Sequence, residues 1–322
     1  MTTISYGLTL SSEEHPPGRL VELAVVAEQN GFDFVSISDH FHPWIREQGH
    51  SPFVWSVLGA IAQATDSIEV GVGVTCPIMR IHPAILAQAT ATTAGLLGGR
   101  FVWGVGSGEA LNEQILGDAW PAAEVRLEML EEAIELIRLL WKGESTTYRG
   151  SYFWAVDATI FDPPPQDIPV VVSAFGPQAA QLAARIGDGL WTTGTGGEPV
   201  DIHRDSGGKG PVYAQLTLCW AEDRDDAVET AHRIWPNTAV PGQLSQDLRT
   251  PAHFEMATEL VTPEKIAESI PCGPDPEPLL ESVAKAVDGG IDHIYFHQIG
   301  DDQEGFVAFF EKEIRPHLPT SN

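Results

Sequence analysis

Cysteine is scarce: Cys76, Cys219 and Cys272 are the only three in 322 residues, and no C-x-x-C spacing links them. That excludes a disulfide framework and a cysteine zinc site, and a reducing, cytoplasmic setting is expected. Basic residues are scarce too, with 18 Lys and Arg against 45 Asp and Glu and a formal net charge of −27. A field of that sign repels phosphate backbones and anionic lipid, so neither nucleic acid nor a membrane surface is expected as a partner. No apolar run approaches the roughly 18 residues of a membrane span, and residues 1–7 lack a basic segment leading into an apolar core, so no secretory leader is expected. Internal repeats, low-complexity tracts and abrupt changes of composition are also missing, which leaves one domain over 1–322 as the expectation.

What is present is ordinary for a globular enzyme, with 43% hydrophobic and 20% charged residues. Short β-rich runs at 4–10, 34–38, 68–75, 101–105, 170–173, 189–192, 212–219 and 291–297 alternate with helical patterns. Residues 19–30 place Leu20, Leu23, Ala24 and Ala27 on one stripe, and 126–140 do the same with Leu127, Leu130, Ala133, Ile134, Ile137 and Leu140. Eight strands alternating with helices predict an α/β fold of the (β/α)8 TIM-barrel type. An open doubly wound sheet fits less well, because Gly104-Val105-Gly106-Ser107-Gly108-Glu109 lacks the sixth-position glycine of the dinucleotide fingerprint. Two segments interrupt the rhythm: 148–166, with Pro163-Pro164-Pro165, reads as a surface excursion, and 234–261 reads as an insertion at the barrel mouth.

The segment Ser38-Asp39-His40-Phe41-His42-Pro43-Trp44 follows a predicted strand, where a barrel mounts its reactive groups. Imidazoles titrate near neutrality, which suits His40 to general-base work, and Asp39 beside it is placed to fix its tautomer. His40-x-His42 also has the spacing of metal ligands on an extended segment, with His293 and His297 available near the last strand. No lysine stands at a middle strand end to complete such a site, and no metal is expected. Trp44 either packs a loop or offers its indole N–H to a developing alkoxide.

A second loop, Gly106-Ser107-Gly108-Glu109-Ala110-Leu111-Asn112-Glu113, sets Glu109 among glycines that let a flat ligand approach the backbone. A carboxylate there also suits the start of a helix near Ala110, and Asn112 lies one turn beyond Gly108. Gly71-Val72-Gly73-Val74-Thr75-Cys76-Pro77 ends the third strand with small residues, which fits either a ring system against the backbone or a bulged barrel strand. Phe175-Gly176-Pro177-Gln178 opens a helix whose N-terminal amides suit a phosphate, or forms a plain βα turn.

Together the S-D-H-F-H-P-W and G-S-G-E-A-L-N-E segments resemble the luciferase-like flavin and deazaflavin oxidoreductases, and within them the F420-dependent glucose-6-phosphate dehydrogenase group, along essentially the whole chain. The resemblance implies a luciferase-like barrel that binds coenzyme F420 and moves a hydride between C5 of the deazaflavin and a secondary alcohol, sugar or carbonyl substrate, in a homodimer. It makes His40 the base, Glu109 the acid near the deazaflavin, and Trp44 the indole that stabilises the intermediate. On the cofactor side it places Asp39, Gly73, Val74, Cys76, Ser107, Gly108 and Asn112, with a cis peptide at Gly73–Val74, and it gives Ala174, Phe175, Gly176 and Pro177 to the cofactor phosphate. On the substrate side it places Thr195, Met256 and Ser269. In the glucose-6-phosphate enzymes two lysines and an arginine hold the sugar phosphate; here Glu198 or a neighbouring glycine, Met256 and Ser269 stand in their places, with Arg204, Lys209 or Arg249 left to supply charge. An unphosphorylated substrate is therefore expected. An FMN-dependent monooxygenase and a non-catalytic deazaflavin-binding protein are the alternative readings.

Overall fold

A computed structural model describes residues 4–319. Its strands are β1 (Ser5–Leu10), β2 (Phe34–Ile37), β3 (Glu69–Thr75), β4 (Phe101–Val105), β5 (Thr146–Arg149), β6 (Trp154–Ala158), β7 (Val170–Ser173), β8 (Gly189–Thr193), β9 (Val212–Leu218) and β10 (His293–Gln298). Eight of them close into a parallel barrel in the order β1-β10-β9-β8-β7-β4-β3-β2, while β5 and β6 form a separate antiparallel hairpin. Each of the eight predicted runs becomes a barrel strand. The excursion at 148–166 contains part of the hairpin, whose first strand begins earlier, at Thr146.

The helices are α1 (Pro17–Gln29), α2 (Val54–Ala64), α3 (Pro83–Leu97), α4 (Ala110–Glu113), α5 (Ala123–Leu140), α6 (Pro177–Ile186) and α7 (Glu198–Asp205), followed by α8 (Arg224–Ile234), α9 (Gly242–Asp247), α10 (Pro251–Thr258), α11 (Pro263–Ala267), α12 (Glu277–Asp288) and α13 (Gln303–Phe309). α1 buries the stripe Leu20, Leu23, Ala24 and Ala27, and α5 buries Leu130, Ala133, Ile134, Ile137 and Leu140. Among the described residues no helix is long and apolar enough to cross a membrane. All three cysteines are free, with Cys219 and Cys272 side by side in an isolated parallel bridge.

Aromatic side chains fill the lower part of the barrel interior. Trp191 of β8 stacks on Tyr213 of β9 at 4.5 Å and donates its indole N–H to the Tyr295 hydroxyl at 2.6 Å. Their bulk needs small residues on the facing strands: a Cβ on Gly7 would lie 2.6 Å from the Phe34 ring, and one on Gly73 would lie 2.7 Å from Trp191. The register of β3 against β4 shifts between Val72 and Thr75, so the small-residue strand end is a bulge, and the Gly73–Val74 peptide bond within it is cis. Above this floor, loops after β1, β2, β3 and β4 and the insertion with α9 and α10 enclose the mouth.

Candidate active site

The mouth holds a cavity of about 330 Å³ lined by Glu13, His40, Trp44, Gly73, Gln215 and His297, with Thr193, Trp235, Asn237, Ser245 and Phe254 among its other walls. His40 sits on the loop after β2. Its Nδ1 lies 3.2 Å from the carbonyl of His42 and 3.5 Å from Glu13 Oε1, both acceptors, so Nδ1 carries the ring proton. Nε2 is left with its lone pair and faces Glu109 Oε1 at 3.8 Å. The Trp44 ring meets the imidazole edge-on at 5.0 Å and is itself backed by Phe254 at 5.1 Å.

The carboxylate behind His40 is Glu13, which the sequence reading did not single out. It lies in Ser11-Ser12-Glu13-Glu14-His15 after β1, five polar residues that are all buried. Ser38 and Ser11 donate their hydroxyls to Glu13 Oε2 at 2.6 and 3.2 Å, which aims Oε1 at the imidazole. A polar run at the end of a barrel strand was the available signal, the same signal that exposed His40 and Glu109.

Asp39 does not reach the imidazole. Its Oδ1 accepts a hydrogen bond from Arg80 Nη2 at 2.8 Å, and the same guanidinium pairs with Glu113 at 3.4 Å. Burial pushes the Glu113 carboxyl up to about 7; Arg80 opposes this, and the charges of Glu109 and Asp39 add to it. Asp39 Oδ2 is buried without a protein partner. Asn112 is fully buried and braces the site from behind: its Oδ1 accepts from the backbone N–H groups of Phe41 and His42 at 2.8 and 2.9 Å, and its Nδ2 donates to Glu109. Cys76 is likewise buried, directly beneath Gly108. Gly108 has φ +70°, and a Cβ there would lie 2.5 Å from Cys76 Sγ, so glycine is required on both counts.

Ser107 and Glu109 are half-buried at the mouth. Val74 packs into the aromatic floor. At the start of α6, Ala174 is buried and Phe175 exposed, while Gly176 caps the helix without a side-chain hydrogen bond and Pro177 opens it.

The residues expected on the substrate side are not where the cavity is. Met256 is 73% exposed on the outer face of α10, and it is Phe254, two residues earlier, that enters the wall. Ser269 donates its hydroxyl to the carbonyl of Ile266. Thr195 lies beyond the end of β8, whereas Thr193 lines the cavity. Arg204 and Lys209 lie at and after the end of α7 ahead of β9, on the face of the barrel opposite the mouth; Arg249 is exposed between α9 and α10. His42 turns its Nδ1 to the carbonyl of Leu111 at 2.9 Å, and His293 pairs with Asp292 at the first residue of β10, far from His297 at the mouth. Among the described residues no group of three or more His, Cys, Asp or Glu is arranged to hold a metal ion.

A closed parallel barrel with an imidazole and a carboxylate meeting at its C-terminal mouth defines a TIM-barrel enzyme. Residues 1–293 match the luciferase-like monooxygenase family, and the chain belongs to that family. It is 36% identical over 329 residues to the F420-dependent glucose-6-phosphate dehydrogenase of Microbacterium testaceum (strain StLB037), a match covering 98% of this chain and 97% of that protein. The protein of the same name from Segniliparus rotundus is 37% identical over 330 residues, covering 98% of each. Among solved structures, an F420-dependent secondary alcohol dehydrogenase in complex with an F420-acetone adduct superposes with a TM-score of 0.91 at 30% identity, over 99% of this chain and all of that one.

Proposed function

We propose that this protein is an F420-dependent oxidoreductase acting on the CH–OH group, or the corresponding carbonyl, of a small uncharged alcohol or sugar. The observation that carries this reading is the imidazole of His40 held between two carboxylates, with Nδ1 tied back to Glu13 and Nε2 free at the cavity beside Glu109. The names of the full-length relatives support the cofactor. So do two features of the site: the buried Asp39 Oδ2 lacks a partner, and the N-terminus of α6 has amides that no side chain caps. Bound F420 would supply C5 as the hydride acceptor or donor. His40 Nε2 takes the hydroxyl proton as the carbinol carbon is oxidised, and Glu13 steadies the positive charge that then develops on the ring. Trp44 fixes the ring plane, and Glu109 exchanges a proton on the cofactor side. His40, Glu109 and Trp44 are thus the catalytic set; Asp39, Gly73, Val74, Ser107, Gly108 and residues 174–177 form the cofactor side, with Cys76 and Asn112 acting from beneath.

The whole chain, 1–322, is read as one barrel domain. A cytoplasmic homodimer without nucleic-acid or membrane partners completes the reading, supported by the free thiols, the acidic charge and the family resemblance. The test is anaerobic incubation with oxidised F420 and a panel of secondary alcohols and sugars, beside reduced FMN under oxygen. Loss of the visible absorption of F420 with at least one alcohol is expected. Oxygen uptake with FMN and none of that loss would replace the reading with a monooxygenase, and tight F420 binding without hydride transfer would leave a binding protein.

A further inference from the structure

Two consecutive glutamates after β1 part company in the fold. Glu13 turns to His40 on the β2 side, while Glu14 turns to His297 on the β10 side. Both histidines line the same cavity. Glu14 is buried, and its Oε1 accepts from His297 Nε2 at 2.9 Å and from the Trp235 indole at 2.6 Å, while Oε2 accepts from the Gly300 N–H at 2.8 Å. Burial alone would push this carboxyl up; the hydrogen bonds from His297 and the Gly300 N–H work against it, and the carboxyl lies below the usual range.

The contacts fix the tautomer of His297: Nε2 carries the hydrogen that meets the Glu14 carboxylate, and the amide N–H of Gln215 faces Nδ1. Nδ1 is then an acceptor. Its nearest donors are Gln215 Nε2 at 3.4 Å and Thr217 Oγ1 at 3.5 Å, both at the long edge of a hydrogen bond, while Gln215 makes its shorter contact, 3.2 Å, to Thr217. The lone pair on His297 Nδ1 is weakly satisfied at the wall of a cavity. Round the mouth, Thr193, Gln215, His297, Glu13 and His40 come from β8, β9, β10 and the loops after β1 and β2, five neighbouring strands. Removing a proton from one hydroxyl needs only the end of this arc at His40. The remainder presents an acceptor on His297 beside an amide on Gln215, the pair that a second hydroxyl satisfies by donating to one and accepting from the other.

We propose that His297, oriented by Glu14, acts with Gln215 to grip a second hydroxyl, so that the preferred substrate is an uncharged polyol or free sugar with a hydroxyl neighbouring the reacting carbinol. The proposal rests on the dehydrogenase reading above for its reaction, but its binding step can be read separately. A substrate with one hydroxyl would leave both groups desolvated with only their long contacts to each other and to Thr217, whereas a second hydroxyl replaces these with shorter hydrogen bonds, and that difference favours the diol.

The test compares trans-1,2-cyclohexanediol with cyclohexanol in the F420-loaded protein. A kcat/KM ratio favouring the diol by on the order of 10–100-fold is expected. Gln215→Leu and His297→Phe should each bring that ratio toward one, and Glu14→Gln should lower it in part; Gln215→Leu, at a half-buried position, keeps the test informative if the buried substitutions fail to fold. Independently of turnover, the imidazole nitrogen resonances of His297, followed by NMR with and without F420, should report an unprotonated Nδ1 that shifts with the diol and not with cyclohexanol. A shift without hydride transfer to F420 from any alcohol would overturn the dehydrogenase reading while supporting the grip. Turnover with equal kcat/KM for the two compounds, or a ratio unchanged in Gln215→Leu, would overturn the grip itself.

Discussion

Glu13 Oε1 stands 3.5 Å from Nδ1 of His40, on the opposite side of the ring from the free Nε2. This arrangement makes the base one half of a carboxylate–imidazole pair whose carboxylate comes from a different strand end. His40→Ala is expected to lower kcat by about 10²–10⁴, the usual range for loss of a general base, while F420 affinity stays within a few-fold. Glu13→Gln keeps the shape but loses the charge behind the imidazole, and a smaller fall, about tenfold to a hundredfold, is expected. Steady-state kinetics and F420 titration check both; a Glu13→Gln enzyme with normal kcat would remove the pair from the mechanism.

Asn112 joins the loop carrying His40 to the loop carrying Glu109 by accepting from two backbone N–H groups of the first and donating to the carboxylate of the second. Asn112→Leu, close in volume, strands two part-buried donors, each costing about 1–3 kcal/mol. Denaturant unfolding should show a loss of about 2–6 kcal/mol, with kcat falling more than KM rises because the two catalytic loops lose their common tie. Unfolding and kcat both close to wild type would show that the loops are held elsewhere.

The strand ends were legible in the sequence because β-rich runs of four to eight residues set each barrel strand, and boundaries moved by only a residue or two, as where the last strand starts at His293. His40 and Glu109 were legible for the same reason, since a polar residue after such a run in a barrel points into the mouth. Glu13 was not, because Ser11-Ser12-Glu13-Glu14-His15 reads equally as a solvated turn and only tertiary burial separates the two cases. The substrate wall was hardest. Segment 234–261 carries short helices with no long apolar period to hold a register, and an error of two residues on a helix rotates the choice by about 200°, which separates inward Phe254 from outward Met256.

Glu113 gives the site a pH signature in stability rather than in rate. Burial raises its folded pKa to about 7, above the ordinary carboxylate value of 4.5, so the folded protein binds the proton more tightly than the unfolded chain. The stabilising contribution is therefore complete below about pH 4.5 and is lost as pH rises toward 7, with a slope of up to about 1.4 kcal/mol per pH unit from this one group. Glu113→Gln removes the titration, so its unfolding free energy should fall less between pH 5 and 7 than that of the wild type, measured by denaturant titration at each pH. Parallel profiles for the two proteins would place the proton elsewhere.

The cavity wall contains Glu13 and, among the described residues that line it, no lysine or arginine. A phosphate dianion brought into that space would meet a carboxylate and hydroxyl, amide and imidazole groups, without the cations that normally neutralise it. Each charge-assisted hydrogen bond is worth about 1.5–3 kcal/mol, so the absence of three would weaken binding of a phosphate ester by several powers of ten even after allowing for non-additivity. Glucose 6-phosphate is accordingly expected to react with a lower kcat/KM than glucose or a simple secondary alcohol, despite the name of the relatives. Raising ionic strength should move the ratio somewhat toward the phosphate ester, because salt screens the repulsion between the dianion and this acidic protein, whereas attraction to a built cationic site would be weakened by salt. Side-by-side measurement of kcat/KM for glucose 6-phosphate, glucose and cyclohexanol settles it: a phosphate ester well ahead of both neutral compounds would mean that Arg249 or another cation moves into the mouth when F420 and substrate are bound, and the uncharged-substrate reading would fall.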